Sequence, residues 1–502
     1  MKLGHTRSAV LTGARAEIIE IQADVGQGLP GVHVTGGGDS VLKEARDRIR
    51  AAVTNSQRPW PSGRVILGLV PADLPKSGSQ CDVAMAVAVM AAEGKAADKY
   101  LGCTLFLGEL SLDGRLRPVR GVLPAVVAAK RLGLTHVVVP VENVREAALV
   151  PGMDIGGAAD LNAVLDWLEG RRILDNVGPQ PCETHSAEPL DLVDVAGQDE
   201  ARYALEIAAA GAHHLLLTGP PGVGKTMLAK RLPGILPPLS EAEALEVTTI
   251  HSIAGLLSEQ DPLIDRAPFV APHHSTSVAA MTGGGSPMPR PGAASRAHRG
   301  VLFLDECAEL GTKVLEALRT PLEDGSIRVL RVGGYVQFPA RFQLILAANP
   351  CPCAPANDVD CVCSPMVRRK YLGKLSGPLL DRVDIRVRMD PPGVAALLPG
   401  RPESTAVVQQ RVLQARSAAR QRWSAHGWLT NSEVPGPMLR HDFALSAEAM
   451  RPIRLFIEDG RITTRGADRA LRLAWTLSDL RGAVSPSETD VAQALLFRDR
   501  GY

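Results

Sequence analysis

No stretch of this 502-residue chain is apolar for long enough to span a bilayer. The longest helix-like apolar run, residues 83–92, reaches about half of the ~20 residues that a crossing needs. Charge of one sign is missing too. Lys and Arg number 55 against 54 Asp and Glu, a formal net charge of +1, which excludes a uniformly basic nucleic-acid coat and leaves room only for local patches. The first residues lack a charged segment followed by an apolar stretch of secretory length, so no export is expected and the cytoplasm is the expected compartment. Without such a leader, eight cysteines in 502 residues point to reduced thiols or metal ligands rather than a disulfide framework. What is present is ordinary for a globular protein with real cores: 45% hydrophobic and 22% charged residues, at a length that holds about three domains.

The most informative segment is GPPGVGKT, made of Gly219, Pro220, Pro221, Gly222, Val223, Gly224, Lys225 and Thr226. An apolar run at 214–217 precedes it as a buried strand, and 227–231 continues as a helix. This is the strand, loop and helix that a nucleotide phosphate-binding loop requires. The glycines let the backbone turn so that N–H groups point at phosphate oxygens, and the helix N-terminus adds partial positive charge. Lys225 is expected to neutralise the β- and γ-phosphates of ATP, and the Thr226 hydroxyl to ligate Mg²⁺.

A second apolar strand, 301–304, ends in Asp305 and Glu306. There, Asp305 would hold Mg²⁺ through its water shell and Glu306 would polarise the attacking water. A third strand, 342–348, ends at Asn349, whose neutral amide could hold the same water near the γ-phosphate or simply cap the strand.

Strand-like runs (16–23, 65–70, 136–140) alternate with alanine-rich helical runs (83–92, 123–132) in the first part, an α/β pattern. The division expected is 1–170, a linker at 171–190, a nucleotide-binding unit at 191–390 and a helical segment at 391–502 that carries Arg461, Arg465, Arg469 and Arg472. Two insertions go beyond what strand crossovers need: a long segment with His273 and His274, and a hairpin in which 326–332 and 335–338 flank Gly333 and Gly334. Arg328 and Arg331 could meet a nucleic-acid backbone there and Tyr335 could stack on a base, or the hairpin could only pack subunits together. Cys351, Cys353, Cys361 and Cys363 form two Cys-x-Cys pairs that could enclose Zn²⁺, remain free thiols or oxidise to a disulfide. Cys81, Cys103, Cys182 and Cys307 are scattered small apolar residues.

Taken with APHHSTS from Ala271, the glycine-rich stretch from Gly283 to Gly292, VLFLDE before Cys307, NPCPC from Asn349 and SGPLLDRVD from Ser376, the chain resembles the YifB/ComM family, magnesium-chelatase-like members of the AAA+ ATPases. The resemblance implies an AAA+ domain with a parallel sheet and a helical lid, in a homo-oligomeric, hexameric ring whose sites are completed by neighbours. Arg382 resembles the arginine finger, and Arg465 the second-sensor arginine of the lid, with Arg469 as the alternative for that role. DNA is the implied substrate, with helicase or branch-migration work in recombination or transformation; a protein-remodelling chaperone and a metal-chelatase-like motor subunit are the alternatives. The chain has no integrin-like metal-binding domain or acidic linker, which argues against a chelatase assembly.

The stretches PKSGSQCDVAMA from Pro75 and GELSLDGRLRPVRG from Gly108 resemble the proteolytic domain of Lon proteases, with its ribosomal S5 domain 2-like α/β fold. Gln80 stands where the serine nucleophile would fall and Leu123 where the lysine would, so no peptidase activity is expected; Cys81 lacks a base to activate it.

Overall fold

The computed structural model describes residues 3–35, 39–71, 79–96, 99–176, 190–260, 262–285, 288–331, 334–355, 360–391 and 402–499. Most of the expected linker, the residues joining the nucleotide unit to the helical segment (392–401) and the hairpin residues Val332 and Gly333 lie outside them.

The N-terminal unit is built on a seven-stranded mixed sheet. Gly4–Thr12 and Arg15–Gly26 pair antiparallel across a tight turn, and Arg64–Val70 adds antiparallel to the second of them. Thr104–Phe106, His136–Pro140 and Asp154–Ala158 extend the other side in parallel. The apolar run that is too short for a membrane becomes the helix Asp82–Ala92, buried along its whole length against this sheet. Asp82 at its first turn is fully buried; burial pushes its carboxyl up to about 6, against the pull of Arg48, whose guanidinium Nε donates to it at 2.9 Å. The unit runs past the expected end at 170, because Leu174 packs into its core and Asp175 bridges to Gly157.

The nucleotide unit has a five-stranded sheet, Phe269–Val270, Val301–Leu304, Gln343–Ala348, Leu215–Thr218 and Ile385–Arg388 in spatial order. Every pairing is parallel. Val301–Leu304, Gln343–Ala348 and Leu215–Thr218 are buried on both faces and so read as apolar runs, whereas the edge strand Ile385–Arg388 alternates. The C-terminal helix Thr464–Leu480 packs against both Thr405–Trp423 and Glu488–Asp499, and it and Thr405–Trp423 pack against Asp199–Gly211. Trp423 is fully buried there, edge-on to Phe443 at 4.6 Å and to Trp475 at 5.6 Å. The helical segment shares one continuous apolar core with the sheet.

A polar seam joins the two units. Glu146, buried, accepts from Ser252 Oγ at 2.5 Å and from the Leu123 N–H at 2.8 Å; Ser252 lies on the nucleotide unit's helix Glu241–Ala254. Arg145 donates to the Gln260 carbonyl at 2.9 Å. No helix among the described residues is long and apolar enough to cross a membrane.

Candidate functional site

The segment 219–226 leaves the C-terminal end of the strand Leu215–Thr218, which lies between Gln343–Ala348 and Ile385–Arg388. In a parallel sheet, that is where a ligand crevice opens. Gly222 and Gly224 take φ of 81° and 95°, left-handed values that a side chain would strain. Gly224 caps the helix Lys225–Ala229 and supplies no side-chain acceptor to its first N–H groups. The Lys225 side chain folds back into the loop: its ammonium donates to the Gly219 carbonyl at 2.6 Å, the Pro220 carbonyl at 2.8 Å and Asn349 Oδ1 at 3.1 Å. Burial pushes this ammonium down, against the pull of Asp305 and Glu306. Incoming phosphate oxygens would replace those three acceptors.

Thr226 Oγ1 donates to Asp305 Oδ2 at 2.5 Å. A hydroxyl and a carboxylate held that close are hard oxygen donors suited to Mg²⁺, which keeps most of its waters and takes few protein ligands. Glu306 follows with φ of 47°, an uncommon conformation for a glutamate that costs about 1–3 kcal/mol and so marks a held position. Its N–H donates to Asp305 Oδ1 at 3.0 Å, and its half-exposed carboxylate faces His274 Nδ1 at 3.6 Å. Cys307 is buried in the turn behind, and burial pushes its thiol up to about 12. The strand ends therefore gather Lys225, Thr226, Asp305, Glu306 and Asn349 at one edge. The His274 contact was not legible in the sequence, because His273 and His274 sit in an irregular insertion with no periodicity to place them.

The arginines lie elsewhere. Arg382 precedes the strand Ile385–Arg388, which starts level with Leu215, so it sits at the opposite edge of the sheet from its own phosphate loop. It is buried, donates to the Pro378 carbonyl at 2.5 Å and pairs with Glu323; Asp381 and Asp384, its neighbours in sequence, are not its partners. Asp384 is taken by Arg469, at 2.7 Å, and by His213. Burial would raise Asp384, but Arg469 and His213 hold it well below the usual carboxylate range. Arg469 also donates to the Arg382 carbonyl at 2.9 Å. Arg465 lies exposed in the first turn of Thr464–Leu480 and makes no hydrogen bond or ion pair among the described residues. The fold brings neither Arg382 nor Arg465 to the loop of the same chain.

In the hairpin, Ser326–Arg331 pairs with Gly334–Pro339, and Gly334 lies opposite Arg331. Gly334 thus belongs to the second strand, not to the turn that the sequence suggested. The base is anchored by buried Ile327 and Phe338, while Arg328, Leu330 and Tyr335 are exposed. One flank rests on the first unit, where Gly13 approaches Val336 and Gln337 too closely to admit a side chain. At the Lon-like positions, Gln80 Nε2 donates to the Ala9 carbonyl at 2.6 Å, Leu123 is fully buried, and Cys81 is buried beside the same carbonyl.

Comparison with known proteins accords with this architecture. The family described as magnesium chelatase, subunit ChlI, matches residues 191–396; subunit ChlI of Mg-chelatase matches 21–143, and the ChlI C-terminal family matches 402–498. An uncharacterized protein of Mycobacterium tuberculosis is 58% identical over 501 residues, 100% of this chain and 99% of its own length. YifB of Escherichia coli is 38% identical over 503 residues, covering 99% and 97%. Competence protein ComM of Haemophilus influenzae is 36% identical over 509 residues, covering 99% and 98%. A more partial likeness, 32% over 170 residues, links 32% of the chain to 21% of a Lon protease of Mycolicibacterium smegmatis. With identity at these levels along nearly its whole length and chelatase families matching all three units, the chain belongs to the YifB/ComM family of magnesium-chelatase-like AAA+ proteins.

Proposed function

We propose that this protein is an ATP-hydrolysing motor that works as a homo-oligomeric, hexameric ring on DNA. The carrying observation is the split site. Lys225, Thr226, Asp305, Glu306 and Asn349 share one sheet edge while Arg382 and Arg469 occupy the other. A loop with phosphate and Mg²⁺ ligands from which Arg382, Arg465 and Arg469 of the same chain stand apart is completed when the opposite edge of a second copy docks against it.

In this reading Lys225 and the loop amides bind ATP, Thr226 and Asp305 hold Mg²⁺, and Glu306 takes the proton of the attacking water that Asn349 orients. Arg382 stabilises the charge on the transferring phosphoryl group from the neighbouring site, with Arg465 assisting from the lid. In this reading an N-terminal Lon-like domain without peptidase chemistry, extended to Asp175 by its core, is joined by a linker to the AAA+ domain at 191–390 and the helical lid at 391–502. Nothing in this reading requires a second metal at the cysteine cluster.

Likeness to a protein named for competence favours DNA, with branch migration or unwinding as the work done. Likeness to the chelatase subunit favours a second reading, a motor that drives a partner protein. ATPase rates measured with single-stranded DNA, branched DNA and unfolded polypeptide side by side separate them. DNA is expected to stimulate turnover, and stimulation by polypeptide alone, or by neither, would refute the DNA reading.

The exposed hairpin is the expected DNA contact. Arg328→Ala with Arg331→Ala should weaken DNA binding and reduce the slope of log affinity against log salt by about 1.4, two phosphate contacts at ~0.7 each for a single strand. Titration at several salt concentrations reads this directly, and an unchanged slope would remove the hairpin from the DNA path.

A further inference from the structure

Immediately beyond Asn349 the chain brings four sulfurs together. Cys351 Sγ lies 3.3 Å from Cys353 Sγ and 3.4 Å from Cys361 Sγ, and the latter two are 3.6 Å apart. With Cys363 included, all four ligand atoms fall within 4.8 Å of one another. Thiolates arranged tetrahedrally about one zinc at ~2.3 Å stand about 3.8 Å apart, so the cluster has nearly the dimensions of a filled site.

Packing does not explain the gathering. Cys351 alone is buried; Cys353 is exposed, and Cys361 and Cys363 are partly so. The chain reverses sharply after Cys353: Ala354 takes a φ of 43° and its N–H donates to the Cys351 carbonyl at 3.2 Å, a tight turn that presents the first Cys-x-Cys pair to the second.

We propose that Cys351, Cys353, Cys361 and Cys363 bind one Zn²⁺ per chain, and that this ion fixes the span joining Asn349 to the helix Pro365–Leu372. Four soft thiolates in a closed tetrahedron select zinc over magnesium or calcium, and a site with no open position is structural. Among the described residues of 351–364 only Cys351 is buried, so the ion would supply what packing does not. The span's two ends matter. Cys351 follows Asn349 by two residues, and Cys363 directly precedes Ser364, whose hydroxyl caps the helix Pro365–Leu372; that helix leads on to Arg382. The zinc thus ties the strand end facing the chain's own phosphate loop to the segment that carries the arginine toward a neighbour. This positional part rests on the nucleotide reading above; the metal itself does not.

The test is elemental analysis of the full-length chain purified without added metal, paired with cobalt substitution. One zinc per chain is expected, released by a mercurial that titrates four thiols, and cobalt exchange should give the intense visible absorption of a tetrahedral thiolate complex. Cys353→Ser with Cys361→Ser should lose the zinc, whereas Cys103→Ser should keep it. Limited proteolysis should cut between residues 349 and 365 faster after metal removal. Zinc-free wild-type protein, cobalt spectra of octahedral type, or zinc retained in the double variant would each overturn the site. Zinc present with no change in cleavage would overturn its hold on the span. Metal content and cleavage are read without ATP turnover, so failure here is distinct from failure of the motor reading.

Discussion

Glu306→Gln is expected to leave the protein able to bind ATP while lowering turnover by about 10²–10⁴-fold, the range of a lost general base. Glutamine keeps the shape of the side chain and so the left-handed turn at φ 47°, but it cannot accept a proton from water. In the proposed site Lys225 and the loop amides would hold the nucleotide, and this substitution does not touch them. Binding of a fluorescent ATP analogue should therefore be nearly unchanged while phosphate release falls. A variant that hydrolyses ATP at the normal rate would refute the role given to Glu306. The charge lost also removes the ion-pair partner of His274, exposed and 3.6 Å away, but an exposed pair contributes at most about 1 kcal/mol, so the fold should survive.

Arg382→Ala carries the second large effect, a fall in turnover of about 10³–10⁵-fold with ATP binding retained, as expected when the cation facing a transferring phosphoryl group is removed. Arg382 is buried against Glu323 and the Pro378 carbonyl. Glu323 is itself well exposed, so its unpaired carboxylate stays hydrated and folding should tolerate the loss. The same experiment reports on assembly. Lys225→Ala should fail for lack of a phosphate ligand, yet the two defects lie on opposite edges of the molecule. Co-expressed in equal amounts, the variants would form about a quarter of their interfaces from an intact loop and an intact arginine in a head-to-tail ring. Partial recovery of hydrolysis is the expected result. Mixed assemblies as inactive as either parent would count against a shared site.

The fold was legible wherever burial imposed a period or a special backbone. The strands 136–140 and 301–304 were recognisable because both faces are covered, 65–70 because its aliphatic residues pack one face into the core, and the phosphate loop because Gly222 and Gly224 take positive φ. Edges were less legible. The first unit closes with Leu174 and Asp175 rather than at Gly170, since one leucine and one bridge leave no pattern. The hairpin's two strands were readable, but its turn register was not, because Gly333 and Gly334 are chemically equal candidates. At the candidate site, the residues from strand ends were findable by their position after apolar runs. The partners that decide their setting were not: His274 beside Glu306, Glu323 on Arg382, and the His213, Asp384 and Arg469 cluster join elements far apart in sequence. Such pairings exist only once the sheet is assembled, and no local periodicity announces them.

Leu123 stands where a Lon peptidase would carry its lysine, and its amide is held by Glu146, the carboxylate that also grips Ser252. One buried carboxylate thus bridges the first unit and a helix of the second. Under the motor reading proposed above, a displacement of Glu241–Ala254 would reach the neighbouring domain through this bridge, and the two would be expected to travel together.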